Sequence, residues 1–318
     1  MKRLQMTKKQ ILITGGAGYI GSIMVPELLL SGHHVTVIDN FMFKQHSLGQ
    51  CCHYPNFNVV RGDVRNEELM RPLLAKADII IPLAALVGAP MCARDPVAAE
   101  TTNHDAIEMI LKLVSKDQWI LMPTTNSAYG SGEKNNYCTE ESPLNPISKY
   151  AIDKVKVEKK LMQHNNSISF RLATVFGMSP RMRTDLLVND FTYRAVVDRY
   201  VVLFEANFKR NYIHIRDVMH AFIHGIENFQ TMKGQIYNLG LSDANISKRD
   251  LCESIKRHVP DFIFMEADIG KDPDQRDYIV SNAKLEATGF KPTHSLDFGI
   301  QELIKGYAMI RNTVYGNV

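Results

Sequence analysis

The chain has 318 residues, 45% hydrophobic and 22% charged, with a formal net charge of +3. That length and balance suit one large α/β unit or two closely joined domains with a full apolar core. They exclude a collagenous, low-complexity or disulfide-dense class, and without a dense basic run interleaved with aromatics they offer no footprint for nucleic acid. The segment Met1 to Gln10 is short and basic and lacks the apolar region of a signal peptide. No apolar run is long enough to span a bilayer, so a cytoplasmic location is expected, with no membrane partner. Five cysteines, Cys51, Cys52, Cys92, Cys138 and Cys252, show no paired zinc-type spacing. Free thiols and no metal are expected.

Gln10-Ile-Leu-Ile-Thr14 reads as a first strand, and Gly15-Gly-Ala-Gly18-Tyr-Ile-Gly21 follows at once, before an apolar-periodic segment to Leu30. Strand, glycine turn and helix in that order form a loop where missing Cβ atoms let the backbone approach a pyrophosphate at a helix N-terminus. Pro26 is expected to bend that helix locally. His34 to Asp39 is the second strand and ends on an acid about twenty residues past the loop, where a carboxylate accepts from adenosine ribose hydroxyls. It would also repel a 2′-phosphate, which favours NAD over NADP. Asn58 to Val64 is a third strand and its exit. Asp78 to Leu83 is a fourth, followed by the small pair Ala84-Ala85. Asn103 to Ser115 has helical spacing with Ile107, Ile110, Leu111 and Val114 on one stripe, suited to core or to a dimer interface.

Trp119 to Met122 is a fifth strand, and it runs into Pro123-Thr-Thr125-Asn126-Ser127-Ala-Tyr-Gly130, a cluster of hydroxyls that is either turn chemistry or a substrate clamp. After Pro143 to Pro146, Tyr150 and Lys154 lie four apart, on one face of a helix and one turn from each other. An ammonium beside a phenol favours the phenolate, so the tyrosine could work as a base near neutral pH. Phe170 to Ala173 completes a sixth strand. Alternating strands and helices indicate a Rossmann-like, doubly wound parallel sheet with its ligand at the carboxyl ends of the strands.

From Phe176 the rhythm becomes irregular. Gly177 to Thr184 is a loop with Arg181 and Arg183. Leu186 to Val197 is helical, Val201 to Phe204 a short strand, and Arg210 to Asp217 a strand leading into a helix through Asn228. Gly234 to Leu239 is a strand, and Lys248 to Val259 and Leu296 to Ile310 are helices. These elements are expected to form a smaller mixed α/β lobe. The expected division is therefore 1–175 for the dinucleotide domain and 176–318 for a substrate lobe, with some elements returning to the first.

With the glycine loop, Asp39, the hydroxyl cluster and Tyr150/Lys154 in order, nearly the whole chain resembles the extended short-chain dehydrogenase/reductases, and within them the nucleotide-sugar epimerases and dehydratases. The resemblance implies NAD as cofactor and a catalytic set of Thr125, Tyr150 and Lys154. It implies cofactor contacts at Gly15, Gly18, Tyr19, Ile20, Gly21, Asp39, Asn40, Asp63, Val64, Leu83, Ala84 and Ala85, besides Tyr150 and Lys154. Substrate contacts are implied at Val87, Asn126, Ser127, Thr174, Arg181, Asn189, Arg210 and Arg276, the arginines Arg210 and Arg276 at the pyrophosphate. A homodimer through a four-helix bundle is also implied, built from the Asn103–Ser115 and Tyr150–Met162 helices.

Two departures narrow the chemistry. In 4,6-dehydratases the threonine is followed by Asp-Glu, and UDP-glucuronate decarboxylases keep the Glu; here Asn126-Ser127 stands there, without a carboxyl for elimination. The usual Asn of the Arg-x-x-Asn motif is Thr174. The runs Arg171 to Phe191, Ile81 to Pro90 and Asn126 to Gly130 are similar to a subgroup near the GDP-heptose 4-dehydrogenases of capsule biosynthesis. The resemblance therefore implies NAD-dependent oxidation of a nucleotide-diphosphate sugar at C4, with a GDP-sugar favoured. A 4-epimerase is the alternative, and a non-catalytic NAD-binding regulatory protein a distant one.

Overall fold

The structure, a computed structural model, describes residues 8–132, 136–267 and 276–310. The start of the basic Met1 to Gln10 segment lies outside them. The chain forms two compact units, neither continuous in sequence: Met1–Thr124, Ser148–Phe170 and Met219–Ile236 make the first, and Thr125–Ile147, Arg171–Val218 and Tyr237–Val318 the second.

In chain order the elements are β1 (Gln10–Thr14), α1 (Gly21–Leu30), β2 (His34–Asp39), β3 (Phe57–Arg61), α2 (Glu67–Lys76), β4 (Ile79–Pro82), α3 (Ala89–Arg94) and α4 (Pro96–Glu100). A π-helical turn (Thr101–Asp105) leads into α5 (Ala106–Leu113), then β5 (Trp119–Thr125), β6 (Tyr137–Cys138), α6 (Lys149–Leu161), β7 (Ser167–Leu172) and β8 (Thr174–Phe176). After these come α7 (Leu187–Val197), β9 (Tyr200–Leu203), β10 (Lys209–His214), α8 (Ile215–Glu227), α9 (Phe229–Met232), β11 (Gln235–Leu239) and β12 (Asn245–Ser247). The chain ends with α10 (Lys248–Lys256), β13 (Ile263–Glu266), β14 (Ile279–Val280), α11 (Ala283–Glu286) and α12 (Leu296–Tyr307).

The seven-stranded parallel sheet has the order β11-β7-β5-β4-β1-β2-β3, a doubly wound arrangement whose winding direction reverses between β1 and β4. Strands covered by helices on both faces need apolar side chains at successive positions, and Ile11 to Thr14 and Ile79 to Pro82 are buried throughout. The α2 helix, unassigned by the strand-exit reading of Asn58 to Val64, follows from its ends. Asn66 accepts from the Leu69 N–H, Glu67 and Glu68 occupy the first turn, and Lys76 the last. Under the sheet, Leu12, Ile38, Ile80, Ile120 and Met122 meet Ile107 and Ile110 of α5 and Val157 and Leu161 of α6 in one core cluster. The α5 stripe is thus largely core, and each such side chain contributes roughly 1.5–3 kcal/mol by leaving water.

The second unit is made of short pieces. A three-stranded sheet runs β12-β10-β8, and two strand pairs are β13-β9 and β14-β6. Its helices are fixed by local chemistry: Ser247 and Asp250 form a reciprocal capping box at α10, and Ser295 caps α12. Glu302 on α12 ties that helix to β10. Its carboxylate takes the Met178 N–H and His214 Nε2, both at 2.9 Å, and Arg216 Nε at 3.3 Å. Burial opposes ionisation there, but these donors hold the carboxyl down at about 2.

Candidate active site

The glycine loop leaves β1 through Gly15, whose φ of +67° only glycine adopts freely, and a Cβ there would stand 2.6 Å from the Ala84 backbone. At Gly21 a Cβ would stand 2.3 Å from the Gly16 carbonyl oxygen. The loop is therefore closed against the exit of β4, and Gly18 N–H turns back onto the Gly15 carbonyl at 3.0 Å. Asp39 at the end of β2 accepts from Ala17 N–H at 3.1 Å and Phe41 N–H at 2.8 Å, one on each oxygen. Bare backbone, a helix N-terminus and a carboxylate about twenty residues on fit a dinucleotide. Tyr19 and Val64 are buried beside the loop and the β3 exit; Ile20 is partly buried and Asn40 is exposed, its side chain accepting from Met42 N–H at 3.0 Å. Asp63 is paired with Arg65, whose hydrogen bonds and charge lower its carboxyl below the usual range against the effect of burial.

Leu83, Ala84 and Ala85 form the β4 exit. Leu83 N–H donates to the Thr14 carbonyl at 2.9 Å and Ala84 N–H to the Thr14 hydroxyl at 3.2 Å. Asn103, buried in the π-helical turn, holds the next residue from both sides: Leu86 N–H donates to its carbonyl and its amide donates to the Leu86 carbonyl, each at 2.8 Å. Val87 is partly buried just beyond. Sequence reasoning places Asn103 only as the start of a helix.

Ser148 caps α6 by accepting from Ala151 N–H, and so sets the first turn, where Tyr150 lies. The Tyr150 ring packs on Leu86, Cys92 and Ala99. One turn on, Lys154 is 5% exposed and its ammonium donates to the Pro123 carbonyl at 3.3 Å. Burial pushes Lys154 down to about 8, with the Cys92 thiol pulling slightly the other way. Another turn on, the buried Glu158 carboxylate accepts from the hydroxyls of Thr124 and Ser169, each at 2.8 Å, and those hydroxyls lie 2.9 Å apart. Glu158 was not singled out by the sequence, although an acid four residues past Lys154 on the same helical face is a readable signal.

In the second unit, Thr125 Oγ1 accepts from Ser127 N–H at 3.1 Å and lies 3.0 Å from Ser127 Oγ, to which Arg276 Nη1 also donates. Asn126 is fully buried, and among the described residues neither atom of its carboxamide has a hydrogen-bond partner. Arg210 is buried on β10, and Tyr212 two residues on is fully buried. Burial raises the Tyr212 phenol, while the charges of Arg210 and Arg276 pull it back. Both arginines therefore act on the same neighbourhood. Arg181 is buried and donates to the Met182 carbonyl at 2.5 Å. Asn189 spends its amide on the backbone, accepting from Gly177 N–H at 3.0 Å and donating to the Arg183 carbonyl at 2.8 Å. Thr174 is partly buried at the start of β8.

These features define an NAD-binding, doubly wound α/β protein with a tyrosine–lysine pair on the helix after the fifth strand. The chain belongs to the NAD dependent epimerase/dehydratase family, whose sequence profile matches residues 11–240. Family members are NAD-dependent sugar-nucleotide enzymes, and the chain is an enzyme of that oxidoreductase type. It is 26% identical over 312 residues to the low-salt glycan biosynthesis protein Agl12 of Haloferax volcanii, covering 93% of this chain and 98% of that one. It is 24% identical over 318 residues to UDP-glucuronic acid decarboxylase 1 of Danio rerio, covering 95% and 73%. The fold matches the crystal structure of UDP-glucuronic acid 4-epimerase from Bacillus cereus in complex with UDP-glucuronic acid and NAD. There the TM-score is 0.83 at 21% identity, covering 94% of this chain and 99% of that one. Among the described residues no helix is long and apolar enough to cross a membrane.

Proposed function

We propose that this protein oxidises the C4 hydroxyl of a nucleotide-diphosphate sugar to the ketone. The observation that carries the reading is the α6 geometry: Lys154, buried and donating to the Pro123 carbonyl, stands one turn past Tyr150. Tyr150 takes the hydroxyl proton while the C4–H bond breaks and its electron pair leaves as hydride. NAD, when bound, accepts that hydride. Lys154 holds the nicotinamide ribose and favours the phenolate, and Thr125 hydrogen-bonds the reacting oxygen. Gly15, Gly18 and Gly21 cradle the cofactor pyrophosphate, Asp39 reads its ribose, and Arg210 and Arg276 serve the sugar-nucleotide phosphates.

The absence of a carboxyl at Asn126 and Ser127 leaves no acid–base pair there for water elimination. Release of the 4-keto sugar, with a GDP-heptose as substrate, is the finer reading, supported by the run from Arg171 to Phe191. The test incubates the protein with GDP-heptose, UDP-glucose and UDP-glucuronic acid and follows the sugars by NMR. A 4-keto product with one NADH per sugar supports the dehydrogenase. Inversion at C4 without net NADH assigns a 4-epimerase instead. Undiminished turnover by Tyr150→Phe would remove the proton-transfer assignment altogether.

A further inference from the structure

Resting on that reading, we propose that Asn126 selects the substrate: its carboxamide binds hydroxyls of the sugar and disfavours a sugar with a carboxylate in their place. Asn126 opens the short 3-10 turn Asn126–Tyr129, directly after Thr125. The side chains next to it are engaged. Thr125 Oγ1 donates to Ser127 Oγ at 3.0 Å and accepts from Ser127 N–H at 3.1 Å, and Ser127 Oγ also accepts from Arg276. Asn126 is fully buried, and among the described residues neither its amide nitrogen nor its carbonyl oxygen has a partner.

A carboxamide can give two hydrogen bonds and accept two. Burying it with none forgoes the bonds that water would supply, and such groups are rare in folded chains. Packing gives no reason to keep it, since an apolar side chain would fill the place without that loss. A ligand gives one. The side chain has no bond to break, so it can turn toward an arriving group, and Thr125 and Ser127 on either side still reach solvent, at 8% and 5% exposure. What it meets must both accept and donate, because nitrogen and oxygen are both open. Sugar hydroxyls do both: one accepts from the nitrogen and a neighbour donates to the oxygen. A carboxylate only accepts, so it satisfies the nitrogen and leaves the carbonyl oxygen facing negative charge. A site built to hydrogen-bond a hydroxyl rejects a substrate without it strongly, because its own polar group is then left unpaired.

The test reads binding. Neutral sugar nucleotides and their uronates, UDP-glucose with UDP-glucuronic acid and GDP-mannose with GDP-mannuronic acid, are titrated calorimetrically into the NAD-loaded protein. In the nucleotide series that binds, the neutral sugar should bind at least about tenfold more tightly than its uronate. Asn126→Leu and Asn126→Ala should bring the two affinities within about threefold by weakening the neutral sugar, while UDP and GDP alone stay within about twofold. Asn126→Ala covers the case in which the larger leucine does not fit. In ligand-free protein neither variant should lower Tm, because what they remove is an unbonded amide. A uronate bound by the unaltered protein as tightly as the neutral sugar overturns the proposal, and assigns the choice to the Arg276 charge. So does a preference that survives both substitutions, or a Tm that falls with both, which marks a structural asparagine. Binding of neither series removes the sugar-nucleotide reading itself. Absence of any keto or inverted product in the turnover assay removes the C4 reading and leaves these affinities standing, so the two failures are distinct.

Discussion

Thr124 and Thr125 are adjacent in sequence, yet their surroundings are unlike. In the first unit, Thr124 donates to Glu158, and Ser169 completes a buried triangle of two hydroxyls and one carboxylate. In the second, Thr125 meets Ser127 and, through it, the guanidinium of Arg276. Successive strand residues point to opposite faces, so one threonine serves packing and its neighbour can serve chemistry. The Glu158 triangle ties the end of β5 to the α6 helix that carries Tyr150 and Lys154. The Thr125 hydroxyl donates to Ser127 Oγ, which also accepts from the Arg276 guanidinium. A hydroxyl at a strand end is therefore not diagnostic, and the charge at the other end of its hydrogen-bond chain is.

The sharpest way to break this contrast is a pair of isosteric changes. Thr125→Val should reduce kcat by about a hundredfold, as loss of a donor to a developing oxyanion does, beyond a stability cost of roughly 1–2 kcal/mol from leaving the Ser127 N–H without its acceptor. Thr124→Val should act on stability alone. It leaves Ser169 and Glu158 one partner short, costs roughly 1–3 kcal/mol, and lowers Tm by roughly 2–4 °C per kcal/mol, while the folded fraction keeps its kcat. Steady-state rates normalised to folded protein, beside thermal melts, check both. Equal effects on rate from the two changes would erase the distinction.

Next comes the buried lysine. Lys154 falls from an ordinary 10.5 to about 8 in the folded chain, so between those values the unfolded state binds more protons. Stability should therefore rise with pH through that window, by up to about 3 kcal/mol in cofactor-free protein. Lys154→Met should remove most of the rise, seen as denaturation midpoints at pH 7.5 and 9.5. Glu302 has the opposite sign. Its carboxyl sits at about 2 rather than 4.5, so its contribution is full above the unfolded value and fades as pH falls toward 2. Partial burial reduces the expected loss in Glu302→Gln to about 2 kcal/mol at neutral pH, narrowing below pH 4.5.

What the sequence made legible was what depends on local spacing. The loop of Gly15, Gly18 and Gly21, the acid at Asp39 and the four-residue step from Tyr150 to Lys154 are written within one or two turns of chain, and the sheet follows from alternating strands and helices. The rest depends on partners far apart. Arg276 reaches Ser127 across 149 positions, and Asn103 reaches Leu86 across 17. No periodicity announces such a pair. Short strands such as β8, β12 and β14 are likewise fixed by pairing rather than by pattern, which is why the second half reads as irregular. Asn189 teaches the converse: a polar residue in a motif run holds the loop at Gly177 and Arg183.

The smallest expected effect lies at the β3 exit, where Asp63 and Arg65 form an ion pair with both side chains more than a third exposed. Exposed pairs contribute about 0–1 kcal/mol, so Arg65→Ala should barely change the melt. If the Asp63 carboxylate serves the adenine, as the resemblance implies, removing Arg65 frees acceptor capacity, and NAD should bind as well or slightly better. Asp63→Ala should weaken NAD several-fold at unchanged stability. Calorimetric titration of NAD into both variants separates the roles. A loss of affinity in Arg65→Ala equal to that in Asp63→Ala would mean that the pair, and not the carboxylate, shapes this end of the site. The adenine end would then depend on a closed ion pair, as the β5 end depends on Glu158, rather than on an open acceptor.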